Sequence, residues 1–194
     1  MSHRERLLAA ARRCLVTRGY ARTTARDLVA ESDTNLASIG YHFGSKDELL
    51  TQALVLTQAD YVEKVMAVVA QAGTGPRRRE HRRDAWVEMV AKFEDERPLG
   101  IAFFEALVEA QRTPELKEAL AASYRSMRAR ISESLGNGFE SVEQRDAAAA
   151  YVIAVSDGLL IQYLLDPESV PSGDVVFDAA ERFHAPSRTR SSRS

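Results

Sequence analysis

The chain has 194 residues, 45% of them hydrophobic and 28% charged, which is enough apolar content for one sizeable core or two small ones. Its net charge of −2 does not by itself point to nucleic acid. A single cysteine, Cys14, excludes an intrachain disulfide and a cysteine-based zinc site, and suits a reducing cytoplasm. The N-terminus, SHRERLLAAARRCL, mixes charges into its apolar positions and reads as neither signal peptide nor membrane span. The apolar stretch AAAAYVIAV is stopped by Ser156 and Asp157 and reads as too short to cross a bilayer. The expectation is a soluble cytoplasmic chain with no membrane partner.

Charge is uneven along the chain: residues 1–50 carry eight Arg or Lys against six Asp or Glu, leaving +2 there and −4 in the rest. In the first segment Leu7, Leu8, Ala11, Cys14 and Leu15 recur at steps of three and four, and Gly19 follows. This predicts a helix over 3–18 that ends at a glycine. Thr24, with Asp27 three residues on, is an N-cap pattern for a second helix over 25–32. Ser32, Asp33, Thr34 and Asn35 form a polar turn. A third short helix follows, with Leu36, Ile39 and Phe43 predicted inward and Ser38, Tyr41 and His42 outward. Ser45 and Glu48 have capping-box spacing and open a fourth helix to about residue 71, carried by Leu49, Leu50 and Leu54.

A Gly/Pro turn and a basic run, Arg77–Arg83, interrupt the pattern. Helices are then predicted over about 77–95, 98–111, 115–135 and 142–165, divided at Pro98, Pro114 and the GNG turn at 136–138. VVFDAAERFHA predicts a last helix, and APSRTRSSRS a disordered tail over 186–194. The fold class is therefore all-α, with about nine helices. A three-helix helix-turn-helix head over 1–47 joins a larger bundle over 48–185.

A helix, a four-residue turn and a second short helix with a polar, aromatic outer face is the arrangement that places the second helix in a DNA major groove. The start of the fourth helix adds N–H donors, a positive dipole end and Lys46, all suited to a phosphate. On pattern alone the unit reads equally as a DNA-binding head or as a plain three-helix unit with a polar exterior.

Over Leu7 to Leu50 the chain resembles the TetR family of bacterial transcriptional regulators. The resemblance is carried by GYARTTARDL at 19–28 and IGYHFGSKDELL at 39–50. It implies a homodimer with N-terminal heads on double-stranded operator DNA and a C-terminal helical body that binds a small effector. Carried over by position, Thr24 resembles the family's helix-capping phosphate contact, Tyr41 and His42 its backbone and groove contacts, and Lys46 its phosphate contact at the fourth helix. Thr34, Asn35, Leu36 and Ser38 fall at the base-facing start of the recognition helix. Asp33 stands where the family usually has glycine, and it tolerates the left-handed turn better than most residues. Gly40 stands where a larger residue is common.

The bundle shows no comparably specific motif. Trp86, Met89 and Phe93 share one face, Phe103 and Phe104 lie beyond Pro98, and Tyr124 and Met127 sit on the next helix. These read as the lining of a pocket for an apolar or aromatic effector, with Tyr124 or Gln162 as orienting groups, or as plain core. The helix over 142–165 is apolar on most sides, so one face is predicted to meet a partner subunit. Ile153, Asp157, Gly158 and Ile161 are the expected interface, with Asp157 bridging the dimer, capping a neighbouring helix or facing solvent. The basic run at 77–83 is predicted to be a solvated helix start. His81, Glu80 and Asp84 are no more than a weak metal set, and no HExxH, phosphate loop or G-x-S-x-G elbow occurs. The functional expectation is a ligand-released repressor that is not an enzyme and has no cofactor or metal. The alternative is a small-molecule binding protein or enzyme with a vestigial helix-turn-helix.

Overall fold

The protein is described by a computed structural model covering residues 1–70, 78–136 and 139–184. The expected turn at 71–77, part of the turn at 136–138 and the tail at 186–194 lie outside those residues. Nine α-helices and no strand occur among the described residues. They are α1 His3–Arg18, α2 Ala25–Ser32, α3 Leu36–Phe43, α4 Lys46–Ala70, α5 Arg78–Ala91, α6 Phe93–Glu109, α7 Pro114–Leu135, α8 Val142–Leu165 and α9 Gly173–His184. A 3-10 turn at Pro167–Ser169 stands before α9.

The first four helices begin and end as their sequence dictates. Thr24 accepts from the Asp27 N–H while its own N–H donates to Asp27, a reciprocal box that satisfies two donors at the start of α2. Asp33 ends α2 in the left-handed region at φ 50, so the turn before α3 forms without glycine. Asn35 caps α3 by accepting from the Ser38 N–H at 3.0 Å, and Ser45 caps α4 by accepting from the Glu48 N–H at 3.0 Å.

The break expected at Pro98 occurs earlier. α6 runs through Pro98 from Phe93 to Glu109, and the chain bends at Lys92, whose N–H donates to Met89 O. A proline ring clashes with the carbonyl four residues before it, so the distortion falls upstream, one turn or so toward Lys92.

One buried cluster runs from α1 (Leu7, Cys14, Leu15) through Leu28, Ile39 and Phe43 to Leu49, Leu50 and Leu54 of α4, and on to Leu99, Phe103, Leu116 and Leu120 of α6 and α7. Head and body are thus continuous through α4 and α6. Burial pushes the Cys14 thiol pKa up, as for a small core residue.

Two expectations about the bundle are corrected. The basic face of α5 is not merely solvated: Arg79 pairs with Glu181 and Asp178, Arg83 with Asp174, and Arg79 and Arg82 lie over the Phe177 ring. An acidic stripe on α9 therefore fastens α9 to α5. Helix α8 is long and apolar enough, by length and composition, to cross a membrane. Its surface is divided, however, with Ala149, Ile153 and Leu159 buried inward and Tyr151, Ile161 and Leu165 outward.

Candidate nucleic-acid interface and bundle cavity

The cap at Asn35 turns the polypeptide so that α3 buries Ile39 and Phe43 in the core shared with α1, α2 and α4, and the Arg4 guanidinium lies 5.3 Å from the Phe43 ring centre. The opposite surface of α3 presents Asn35, Leu36, Ala37, Gly40 and Tyr41. Tyr41 is 86% exposed and Leu36 56%, large side chains without a packing role in the free protein. Leu36 is therefore outward rather than part of the packing between α2 and α3. Ser38 differs from its expected position in the opposite sense. It is buried, its hydroxyl donates to Asn35 Oδ1 at 3.2 Å, and His3 Nδ1 lies 3.3 Å away. At 100° per residue position 38 stands about 60° round the helix from 41, and that is enough to turn it toward His3 of α1 while Tyr41 stays outside.

Thr34 is half-buried, its hydroxyl 2.7 Å from that of Ser32. His42 is half-buried and meets Tyr41 edge-on at 4.8 Å. The Thr24 hydroxyl donates to Asp27 at 2.6 Å, and this bond with the Thr24 backbone bond holds the Asp27 carboxyl below its usual range. Lys46 reaches Thr23 O at 3.4 Å and Asp47 at 2.8 Å, so it lies beside the α2 start. Arg26, exposed on α2, pairs with no described residue. The sequence pattern offered no reason to single out Arg26, Ala37 or Gly40. Only the rotation of the two helices shows them on this face, and a Cβ added at Gly40 would meet nothing within 4 Å.

Behind the head, Glu105 of α6 accepts from the Ala21 N–H at 3.1 Å and lies 3.7 Å from Arg22. Gly19 lets it approach: a Cβ there would stand 2.5 Å from Glu105 Oε2, and the backbone at φ 83, ψ 174 belongs to glycine. This carboxylate joins α6 to the loop between α1 and α2.

Inside the bundle a cavity of about 130 Å³ lies between α4, α5, α6, α7 and α8. Of the residues expected there, Met89, Phe93, Phe103 and Tyr124 line it, as does Met127. Phe103 stacks on Tyr124 with ring centres 5.9 Å apart. Trp86, Phe104 and Gln162 do not line it. Trp86 packs beside Met89 and Phe93 outside the wall, Phe104 packs on the head-side core, and Gln162 is exposed with its amide donating to Gly158 O. Ile153 and Asp157, expected at a subunit interface, line the cavity instead, because both fall on the inward side of α8. Gln58 and Val62 of α4, and Glu96 and Gly100 of α6, complete much of the wall. They escaped sequence reading because they are scattered over two helices and have no aromatic signal. Gly158 and Ile161 do face outward, where Ile161 is 44% exposed.

Tyr124 donates to Asp157 Oδ2 at 2.8 Å. Burial pushes the Asp157 carboxyl up, with the tyrosine bond opposing. Burial, then the Asp157 charge, push the Tyr124 phenol up, so the phenol is the donor at neutral pH. No group of three metal-ligating side chains occurs among the described residues.

Residues 7–53 match the family described as bacterial regulatory proteins, tetR family, and residues 77–186 match the tetracyclin repressor-like C-terminal domain. The chain belongs to the TetR family. It is a DNA-binding transcriptional regulator and, like the members of that family, not an enzyme. Among curated TetR-type relatives it is 29% identical over 171 residues to the HTH-type transcriptional regulator BetI of Agrobacterium fabrum, spanning 88% of this chain and 80% of BetI. Its fold is shared with a putative transcriptional regulator from Streptomyces coelicolor A3(2), at TM-score 0.75 and 22% identity over 95% of this chain and 99% of that one. It is shared also with the multidrug binding protein EbrR complexed with proflavin, at TM-score 0.63 and 21% identity over 93% and 99%.

Proposed function

We propose that this regulator is a cytoplasmic homodimeric repressor that leaves its operator when a small apolar or aromatic molecule fills the bundle cavity. The observation that carries the proposal is the course of α4. Gln58 and Val62 stand in the cavity wall, and the same helix ends at Lys46 beside the recognition helix, roughly 18 Å along its axis from Gln58. A cavity of about 130 Å³ suits a single aromatic ring, since an apolar space of roughly 150 Å³ holds benzene. EbrR, described as a multidrug binding protein and complexed with proflavin, supports a planar aromatic ligand for a bundle of this fold.

The proposed operator contacts are Asn35, Leu36 and Tyr41 on α3, with Thr34, His42, Thr24 and Lys46 around them. Arg26, Ala37 and Gly40 join them on the strength of their exposure. Ser38 acts from beneath, holding the Asn35 cap. The proposed subunit interface is the outward stripe of α8, in which Tyr151, Ala154, Gly158, Ile161 and Leu165 recur at steps of three and four. That is the spacing of a helix-to-helix seam, and Leu165 is 82% exposed in the single chain. A dimer places two heads on major grooves about 34 to 36 Å apart, so a small tilt of α4 prevents both from docking.

Retardation of the DNA upstream of the protein's own gene, with unrelated DNA as competitor, tests the proposal. Specific retardation by a dimer is expected. Equal retardation of any DNA, or specific binding by a monomer, would overturn it.

A further inference from the structure

The cavity wall is apolar except at a few points, and the charged ones among them share one sign. Among its sixteen lining residues are two carboxylates, Asp157 of α8 and Glu96 of α6, and no Lys, Arg or His. Asp157 lies mid-helix among Phe103, Tyr124 and Ile153. Tyr124 occupies only its Oδ2, and its Oδ1 makes no hydrogen bond among the described residues. A carboxylate in apolar surroundings is costly unless it is paired, and among the described residues no cation pairs with Asp157. The rings of Phe93, Phe103 and Tyr124 line the same space, and aromatic rings attract a cation as the carboxylate does.

We infer that the effector is a lipophilic cation: an aromatic or apolar body carrying one ammonium-type charge that pairs with Asp157. This rests on the reading of the cavity as the effector site, and adds to it the charge of the ligand. A neutral ligand of the same shape leaves the carboxyl enclosed and uncompensated. An anion meets the Asp157 carboxylate. A cation both donates to the free oxygen and balances its charge, and with Tyr124 still donating to the other oxygen, both sides of the Asp157 carboxylate are occupied. Met89 and Met127 in the wall give the body some latitude in shape, because unbranched thioether side chains repack readily.

Calorimetric titration of the full chain with three probes of one shape decides the matter: phenethylammonium, 2-phenylethanol and phenylacetate. The expected order is phenethylammonium at least tenfold tighter than 2-phenylethanol, with phenylacetate weakest. Asp157→Asn, which keeps an acceptor for Tyr124, is expected to remove the preference for the cation and leave 2-phenylethanol within about twofold of the wild type. The ranking on the wild-type chain needs no variant and decides the charge preference even if Asp157→Asn folds poorly. Binding of 2-phenylethanol as tight as that of phenethylammonium would overturn the charge and leave the cavity reading standing. A cation preference that survives Asp157→Asn would overturn the pairing with Asp157. No binding of any probe would overturn both the charge and the cavity reading.

Discussion

Removing the Glu105 carboxylate is expected to loosen the head from the body. In the structure that group accepts the Ala21 N–H at 3.1 Å, lies 3.7 Å from Arg22, and is enclosed by the bare backbone of Gly19. Its side chain is 22% exposed, against 71% for Arg22. The ion pair is thus largely screened and contributes roughly 0 to 1 kcal/mol. The hydrogen bond from a backbone donor to a charged acceptor contributes about 1.5 kcal/mol, the low end of its range given the exposure nearby. Glu105→Ala should therefore cost about 1.5 to 2.5 kcal/mol, a fall in Tm of roughly 3 to 10 °C for a chain of this size. Glu105→Gln keeps an acceptor and should fall between the variant and the wild type. Because α6 also carries Gly100 and Phe103 in the cavity wall, Glu105→Ala should reduce the effect of a cavity ligand on operator affinity as well. Paired measurements by differential scanning calorimetry and operator anisotropy check both effects. An unchanged Tm together with an unchanged ligand response would refute the role given to this contact.

Three further outcomes are expected. Asn35→Ala should lose about 1 kcal/mol of stability with the α3 cap, whereas Asn35→Ser keeps the cap and should shift operator preference instead; equal melting temperatures for the two would contradict the cap assignment. Ile161→Asp should give folded monomers by sedimentation, since it alters the outward stripe of α8 alone; an intact dimer would place the interface elsewhere. Asp157→Asn should raise thermal stability at neutral pH in the ligand-free protein. The folded Asp157 is raised above its ordinary value of 3.8, so the stability it contributes is present below that pH and is lost as pH rises through the folded value. The gap between variant and wild type should open above about 3.8 and close below it, and a gap independent of pH would contradict the burial of this carboxyl.

Local signals carried the head well. Thr24, Asn35, Ser45 and Gly19 mark helix ends through their own backbone chemistry, and Asp33 occupies the left-handed turn as its side chain allows. What failed was rotation about a helix axis. Ser38 and Leu36 exchanged inward and outward places because an eight-residue helix has few apolar positions to fix its phase. On α8 the apolar residues run nearly all round, so periodicity could not say which side faced the cavity, and Asp157, expected at a subunit interface, lines the cavity instead. Trp86 and Gln162 were chosen for their chemistry, but a pocket is lined by direction, and Gln58 and Gly100 point the right way without any such mark. The pairing of Arg79 and Arg83 with α9 joins residues 91 to 102 positions apart, a distance over which single-sequence charge patterns are silent.

The most direct test of the account is the operator affinity of the wild-type protein with its cavity empty and with it filled. Phenethylammonium at a concentration that calorimetry shows to be saturating serves as the filler, and anisotropy of the labelled upstream DNA as the readout. A coupling of about 1 to 3 kcal/mol predicts operator binding weaker by roughly 5 to 150-fold in the filled state, and phenethylammonium binding weakened by the same factor when operator DNA is present. Equal operator affinity in the two states, with the cavity occupied, would contradict the claim that α4 and α6 join the cavity to the recognition helix.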